Sequence, residues 1–303
     1  MSPDVAISLG GVFYHLSAEG HPLWQDVDAA YRSFVLPELP AATPVDAVSV
    51  RFAMAPSPSS DGRTIFRSSA SWTILTEDGF RAFLFQSPED EPLYVARFRP
   101  GDSEVSVLCS SRLVETRAGT AVLRSPFVYP LDQVVSMYLL TGRGFTVHAA
   151  GALVAGRGIL FAGVSGAGKT TIAGLAAGRR GWEPLSDDRV IVRLIDGGAT
   201  VYGTPWPGEG AVAENRNGPL EWLVFLAQGD RNVVERLEPG QALARLLKTA
   251  SIPWYDQEYL GSALDACGRL VREVPAALLT FRPEGGVVDV VEALLDGRTA
   301  RSG

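Results

Sequence analysis

Eight residues constrain this 303-residue chain more than any others: Gly163-Val164-Ser165-Gly166-Ala167-Gly168-Lys169-Thr170, a complete GxxxxGK[ST] pattern. The run before it, GILFAG, reads as a strand, and TTIAGLAAG after it reads as a helix. A strand, a glycine turn and a helix in that order form an anion cradle. The glycines let backbone N–H groups turn inward, and the helix N-terminus adds partial positive charge. In such a cradle Lys169 reaches the β- and γ-phosphates of a nucleotide, and the Thr170 hydroxyl ligates Mg²⁺. Gly163, Ser165, Gly166, Ala167, Gly168, Lys169, Thr170 and Thr171 are therefore the expected nucleotide-contacting residues, with nucleotide phosphates and Mg²⁺ the expected ligands.

Composition sharpens the point. The chain has 27 Lys and Arg together, and its only lysines are Lys169 and Lys248. Where surface charge is carried by Arg, a lysine inside the glycine loop calls for its compact ammonium. The net charge of −7 offers no basic field to a nucleic-acid backbone, so no nucleic-acid partner is expected. Two cysteines, Cys109 and Cys267, lie far apart without a CxxC spacing, which argues against zinc ribbons and disulfide scaffolds and for two buried thiols. A chain this long buries about three-quarters of its unfolded surface and needs neither staple. The first residues carry no positive flank ahead of their apolar stretch, and no apolar run has the length of a bilayer span. The expectation is a cytoplasmic protein without a membrane partner.

Periodicity predicts two domains, 1–128 and 129–303. The first reads as β-rich, with a strand and glycine bend over Val5 to Ser17, a short amphipathic helix over Leu23 to Phe34, and antiparallel hairpins from Ser71 to Cys109. Pro130 to Gly142 reads as a helix joining the halves. The second domain mixes strands with helices, and the tight turn at 156–158 joins 145–155 to 158–162 as a hairpin, giving a mixed sheet rather than an all-parallel one. Helices are expected over Gly240 to Leu247, Ser262 to Arg272 and Val287 to Leu295, and strands over Val190 to Leu194, Leu223 to Leu226 and Ala277 to Phe281. The fold class is thus α+β, a mixed α/β C-terminal half with a β-rich N-terminal half.

Asp187-Asp188 stand at the end of the strand segment Trp182 to Ser186. In isolation an Asp pair there reads as a solvated turn. Coupled to the phosphate loop, two carboxylates serve as metal ligand and general base.

The stretch from His148 through Asp188 resembles the catalytic domain of HPr kinase/phosphorylase and its relatives, in the wider superfamily of ATP-dependent phosphoenolpyruvate carboxykinases. The shared marks are a histidine on the strand before the loop, the glycine loop, and the paired aspartates after it. The resemblance implies a mixed-sheet nucleotide-binding domain, an ATP- and Mg²⁺-dependent phosphotransferase, and the roles of active-site histidine for His148 and metal and base for Asp187 and Asp188. It extends loosely through Gly203 to Gly210 and Leu279 to Val291. The family's Glu-x-Arg-Gly-x-Gly signature is not matched by Glu214 to Gly218, which leaves Glu209 or Glu214 as a further metal carboxylate and Arg216 as a candidate for the transferring phosphoryl group. The N-terminal half does not resemble that of the HPr enzyme, so the implied acceptor is a hydroxyl of a protein, peptide or small molecule rather than HPr. The N-terminal half then serves substrate recognition or a homo-oligomer contact. Two other functions fit the same motifs: a nucleotide-binding docking module without turnover, and a phosphoenolpyruvate-carboxykinase-like decarboxylase.

Overall fold

Alternating apolar and polar side chains build the first half. A computed structural model describes residues 4–25, 29–37, 46–68, 71–89, 91–164, 166–195, 197–284 and 286–297. The chain divides into two units, one of residues 1–139 with 253–258 and the other of residues 140–252 with 259–303.

In the first unit the strands are β1 (Asp4–Leu9), β2 (Val12–Ala18), β3 (Leu23–Trp24), β4 (Val35–Leu36), β5 (Ala47–Met54), β6 (Arg63–Arg67), β7 (Trp72–Glu77), β8 (Phe80–Gln86), β9 (Pro92–Phe98), β10 (Glu104–Cys109), β11 (Val114–Arg117) and β12 (Thr120–Arg124). Nine of them form one sheet in the order β4-β1-β2-β5-β10-β9-β8-β7-β6, and β11-β12-β3 form a second. Glu104–Cys109 shows the cause, with alternate residues buried. Cys109 ends that strand in the core, where burial pushes its thiol up to about 12. Most pairings are antiparallel, as expected, but β2–β5, β5–β10 and β3–β12 run parallel.

Three local expectations differ from the structure. Val5 to Ser17 is a hairpin, not one bent strand, because Gly10 and Gly11 both take positive φ and reverse the chain. Leu23 to Phe34 is no helix: Leu23 and Trp24 pair in parallel with Leu123 and Arg124, residues 29–34 form turns, and 26–28 lie outside the described residues. The helix α1 (Leu131–Leu139) belongs to the first unit instead of opening the second, so the division falls after residue 139 rather than at 128. Its buried face explains this: Tyr138 packs on Phe98 with ring centroids 5.5 Å apart, and Ser136 Oγ lies 2.9 Å from Tyr14 Oη.

The second unit contains β13 (Gly144–Val154), β14 (Arg157–Ala162), α2 (Lys169–Ala176), β15 (Trp182–Ser186), β16 (Arg189–Ile195), β17 (Gly198–Tyr202), β18 (Asn217–Gln228), β19 (Val233–Leu237), α3 (Pro239–Leu246), β20 (Ala250–Ser251), α4 (Gln257–Glu273, its first two residues in the first unit), β21 (Ala276–Phe281) and α5 (Gly286–Leu295). The sheet is mixed. β14, β18 and β21 are parallel, while β13 pairs antiparallel with β14, β15 and β16.

The parallel strands are near-continuous apolar runs because both their faces are covered. Ile159, Phe161, Val224 and Leu226 point into one core with Ile172 of α2 and Val287 and Val291 of α5. Leu160, Ala162, Leu223 and Phe225 point into the other with Ala242 of α3 and Cys267 and Leu270 of α4. Cys267 is a free thiol there, also raised to about 12 by burial. The architecture is therefore mixed α/β, with the glycine loop leaving the sheet between two covered faces. Among the described residues no helix is long and apolar enough to cross a membrane.

Candidate functional site

β14 ends at Ala162, and the chain must leave the sheet within one residue to enter α2. Gly163 permits this, since a Cβ there would lie 2.6 Å from that of Ala167. Gly166 and Gly168 take φ of +80° and +104°, conformations that side chains resist. At Gly168 a Cβ would also meet the Phe281 ring at 2.5 Å. Ala167 N–H donates to Val164 O at 3.1 Å, and Gln228 Nε2 at the end of β18 donates to Gly166 O at 2.7 Å. Ser165 lies outside the described residues.

Lys169 is only 8% exposed. Its ammonium donates to Gly163 O at 2.9 Å and reaches Val164 O at 3.5 Å, so it closes the loop on itself. Burial holds the Lys169 pKa below its ordinary value, and the negative charge of Asp188 opposes that shift. Thr170 and Thr171 are exposed in the first turn of α2.

The register of β13 brings the other candidates together. Its first half pairs with β16, setting His148 opposite Arg189, and its second half pairs with β15, setting Gly151 opposite Ser186. The connection between β15 and β16 is Asp187-Asp188, so both carboxylates fall beside the middle of β13. From there they part.

Asp187 is 3% exposed and accepts three backbone N–H groups: Gly208 at 2.9 Å, Gly210 at 2.7 Å and Val212 at 3.3 Å. It anchors the 208–212 loop. Glycines are required there, for a Cβ at Gly210 would stand 2.7 Å from Asp187 Oδ2. Asp188 instead faces His148, with Oδ1 2.5 Å from Nε2, and takes Arg189 NH1 on Oδ2 at 2.8 Å. The His148 contact, aided by the charges of Arg189 and Lys169 and opposed by partial burial, holds the Asp188 carboxyl below the usual range.

The structure thus groups His148, Lys169 and Asp188, and gives Asp187 a separate set of partners. Glu209 is exposed in the loop that Asp187 anchors. Glu214 is exposed, its N–H bonded to Leu185 O, and Arg216 pairs with Glu183, so neither is drawn toward Lys169 by a bond of its own. Among the described residues no three His, Cys, Asp or Glu side chains come together as a ready metal cluster. Sequence reasoning missed Arg189, Gln228 and the amides of 208–212. The GEG spacing signalled the last, since two glycines flanking one residue allow a backbone to wrap a carboxylate.

Residues 128–296 match the family described as SynChlorMet cassette protein ScmC. The chain belongs to this family. That membership covers α1 and nearly all of the second unit, and it refines the resemblance drawn from the loop and the Asp pair, since the matching family is ScmC rather than HPr kinase. No curated protein matches the chain. Among solved structures, the HPr(Ser) kinase/phosphatase from Coxiella burnetii is similar at 13% identity, over 50% of this chain and 93% of that one, with a TM-score of 0.27. At that TM-score the overlay fixes neither fold nor chemistry.

Proposed function

We propose that the second unit binds ATP with Mg²⁺ and transfers the γ-phosphoryl group to a hydroxyl of a protein, peptide or small molecule, as an HPr-kinase-like phosphotransferase of the cytoplasm. The observation that carries this reading is the His148–Asp188 contact beside a lysine folded into a complete glycine loop. A bare anion-binding loop has no use for a carboxylate held by a histidine. A phosphotransferase does.

The residues fit the ligands. The positive-φ glycines and the first turn of α2 suit phosphate, and Lys169 exchanges its loop carbonyls for phosphate oxygens. The donors available for Mg²⁺ are hard oxygens, the Thr170 hydroxyl with the Glu209 carboxylate, which leaves Asp188 as the base. Mg²⁺ takes one or two carboxylates with waters and substrate phosphates, so a three-residue cluster is not needed. Bound there, the ion neutralises charge on the transferring group.

In the reaction the acceptor oxygen attacks the γ-phosphorus, the bond to the β–γ bridging oxygen breaks, and ADP leaves with that electron pair. The acceptor proton passes to Asp188. A carboxylate held below its ordinary pKa is a weak base, so the proton moves late, once the new P–O bond has formed. His148 and Arg189 fix the carboxylate so that no reorientation is needed at that moment.

The test is incubation of the full chain with γ-labelled ATP and Mg²⁺, alone and with low- and high-mass lysate fractions. Asp188→Asn is expected to abolish labelling while ATP binding persists. Labelling that survives the substitution overturns the mechanism. One observation favours a second reading, ATP binding without turnover: every oxygen of Asp187 and Asp188 already has a partner. ATP binding with no label in any fraction would establish it.

A further inference from the structure

Beside the loop, the second unit contains a cavity of about 300 Å³ that the reaction above leaves unexplained. Its walls are small and apolar: Ala150 and Ala152 from β13, and Ala173, Gly174 and Ala177 along one flank of α2 and its end. The Phe161 and Trp182 rings, nearly parallel at 11° with centroids 6.3 Å apart, close another side. Trp182 Nε1 donates to Glu292, so the indole presents its carbon face.

The polar residues of the lining are Thr170, Ser186 and Asp187. Two of these are already engaged, since Asp187 accepts three amides and Ser186 Oγ accepts the N–H of Arg189 at 3.4 Å.

A purine fits this chemistry poorly. Its rim needs several hydrogen bonds, and burying it against alanines and two rings would leave them unmade. The placement of Thr170 points the same way. The Ser/Thr after the loop lysine lies at the metal and γ-phosphate end of a bound nucleotide, so the cavity opens where the acceptor must stand, not where the base rests. Its volume is about twice the ~150 Å³ that accommodates a benzene ring, enough for a branched aliphatic or single aromatic group.

We propose that this cavity is the acceptor subsite, binding the apolar group of a substrate whose hydroxyl lies at the Thr170 end. The inference rests on the phosphotransferase reading and adds the acceptor class: a hydroxyl carried within a few bonds of a compact apolar group. Hydrophilic polyols and sugars fit poorly, because the apolar walls leave most of their hydroxyls without hydrogen-bond partners.

The experiment is a titration of the full chain, carrying ¹³C-methyl alanine, with ethanol, 3-methylbutan-1-ol and 2-phenylethanol. It is run with and without Mg²⁺ and a non-hydrolysable ATP analogue. The methyl signals of Ala150, Ala152, Ala173 and Ala177 should shift saturably with the two larger alcohols. Affinity should rise about four-fold per added methylene over ethanol, and the bound analogue should not block the shifts.

Gly174→Leu should abolish them, and Gly174→Ala should weaken them. A Cβ at Gly174 meets nothing within 4 Å, so both variants have room to fold. The proposal is overturned if the analogue alone moves these methyls and excludes the alcohols, which makes the cavity a base site. It is equally overturned if the alcohols leave the methyls unmoved. An analogue that fails to bind, read from the methyl of Ala167 within the loop, defeats the phosphotransferase reading, whatever the cavity alanines do.

Discussion

Asp187→Ala and Asp188→Asn are adjacent substitutions with opposite expected consequences. Asp187 is the sole carboxylate bonded to the amides of Gly208, Gly210 and Val212 among the described contacts. A hydrogen bond to a charged group is worth ~1.5–3 kcal/mol when its partner is buried. These amides lie in a partly exposed loop, so water replaces some of what is lost, and the loop should loosen by about 3 kcal/mol in total. Hydrogen exchange at the three amides should then accelerate by about 100-fold, while β14 and β18 stay protected. If the loss is felt by the whole second unit, its melting transition falls by about 6–12 °C. Asp187→Asn keeps one acceptor oxygen and should show a smaller effect at the same amides. Asp188→Asn should leave their exchange within two-fold of wild type and still abolish phosphoryl transfer. Unchanged exchange in Asp187→Ala, or equal acceleration in both variants, refutes the separation of anchor from base.

Three further outcomes follow from the same contacts. Gly168→Ala forces a methyl to 2.5 Å from the Phe281 ring at φ +104°, so it should destabilise the second unit by about 1–3 kcal/mol, and adding Phe281→Leu should recover part of the loss in a urea titration. Asp188 has its carboxyl lowered first by His148, so its stabilisation is complete above about pH 4 and is lost as pH falls through the lowered value. Urea midpoints of wild type and Asp188→Asn should therefore differ at pH 5 and converge toward pH 2, and a gap that stays constant rules out this linkage. In the first unit, Arg81 is 2% exposed and holds Asp256 at 2.6 and 3.1 Å. Arg81→Met leaves that carboxylate buried and should cost about 3–5 kcal/mol in chemical denaturation, against under 1 kcal/mol for the exposed Arg51→Met.

What the sequence made legible was local. The loop, the helix after it, the 156–158 hairpin and the covered strand at Leu223 to Leu226 each carry their signal within a dozen residues, and the structure forms all of them. Pairings between distant segments carry no such signal. Nothing in Gly158 to Ala162 announces that β14 lies parallel to β18 some sixty residues later, or that β13 switches partners midway. The mistaken helix at Leu23 to Phe34 has the same origin, because helical spacing over two turns is outweighed by pairing with β12, about one hundred residues away. The resemblance assigns His148 and Asp188 to one active site, and the β13–β16 register is what sets them 2.5 Å apart.

The division of the Asp pair could have been argued from the backbone alone. Successive residues of an extended chain project to opposite sides, so two adjacent carboxylates at a strand end cannot both face one phosphate. One of them needs other partners, and in a water-poor setting those partners must be N–H groups. The chain supplies them 21 to 25 residues later from a segment with glycines on either side of Glu209. The consequence reaches the site. By gripping Gly208 and Gly210, Asp187 sets the position of the residue between them, so on the proposed phosphotransferase reading Asp187 and Glu209 act as one device. Asp187→Ala should therefore weaken Mg²⁺-dependent ATP binding only as far as Glu209→Gln does, and the double variant should be no worse than the more severe single one. Additive losses, measured by calorimetry across the four proteins, would mean that Asp187 acts on the metal directly and that the anchoring of 208–212 is incidental.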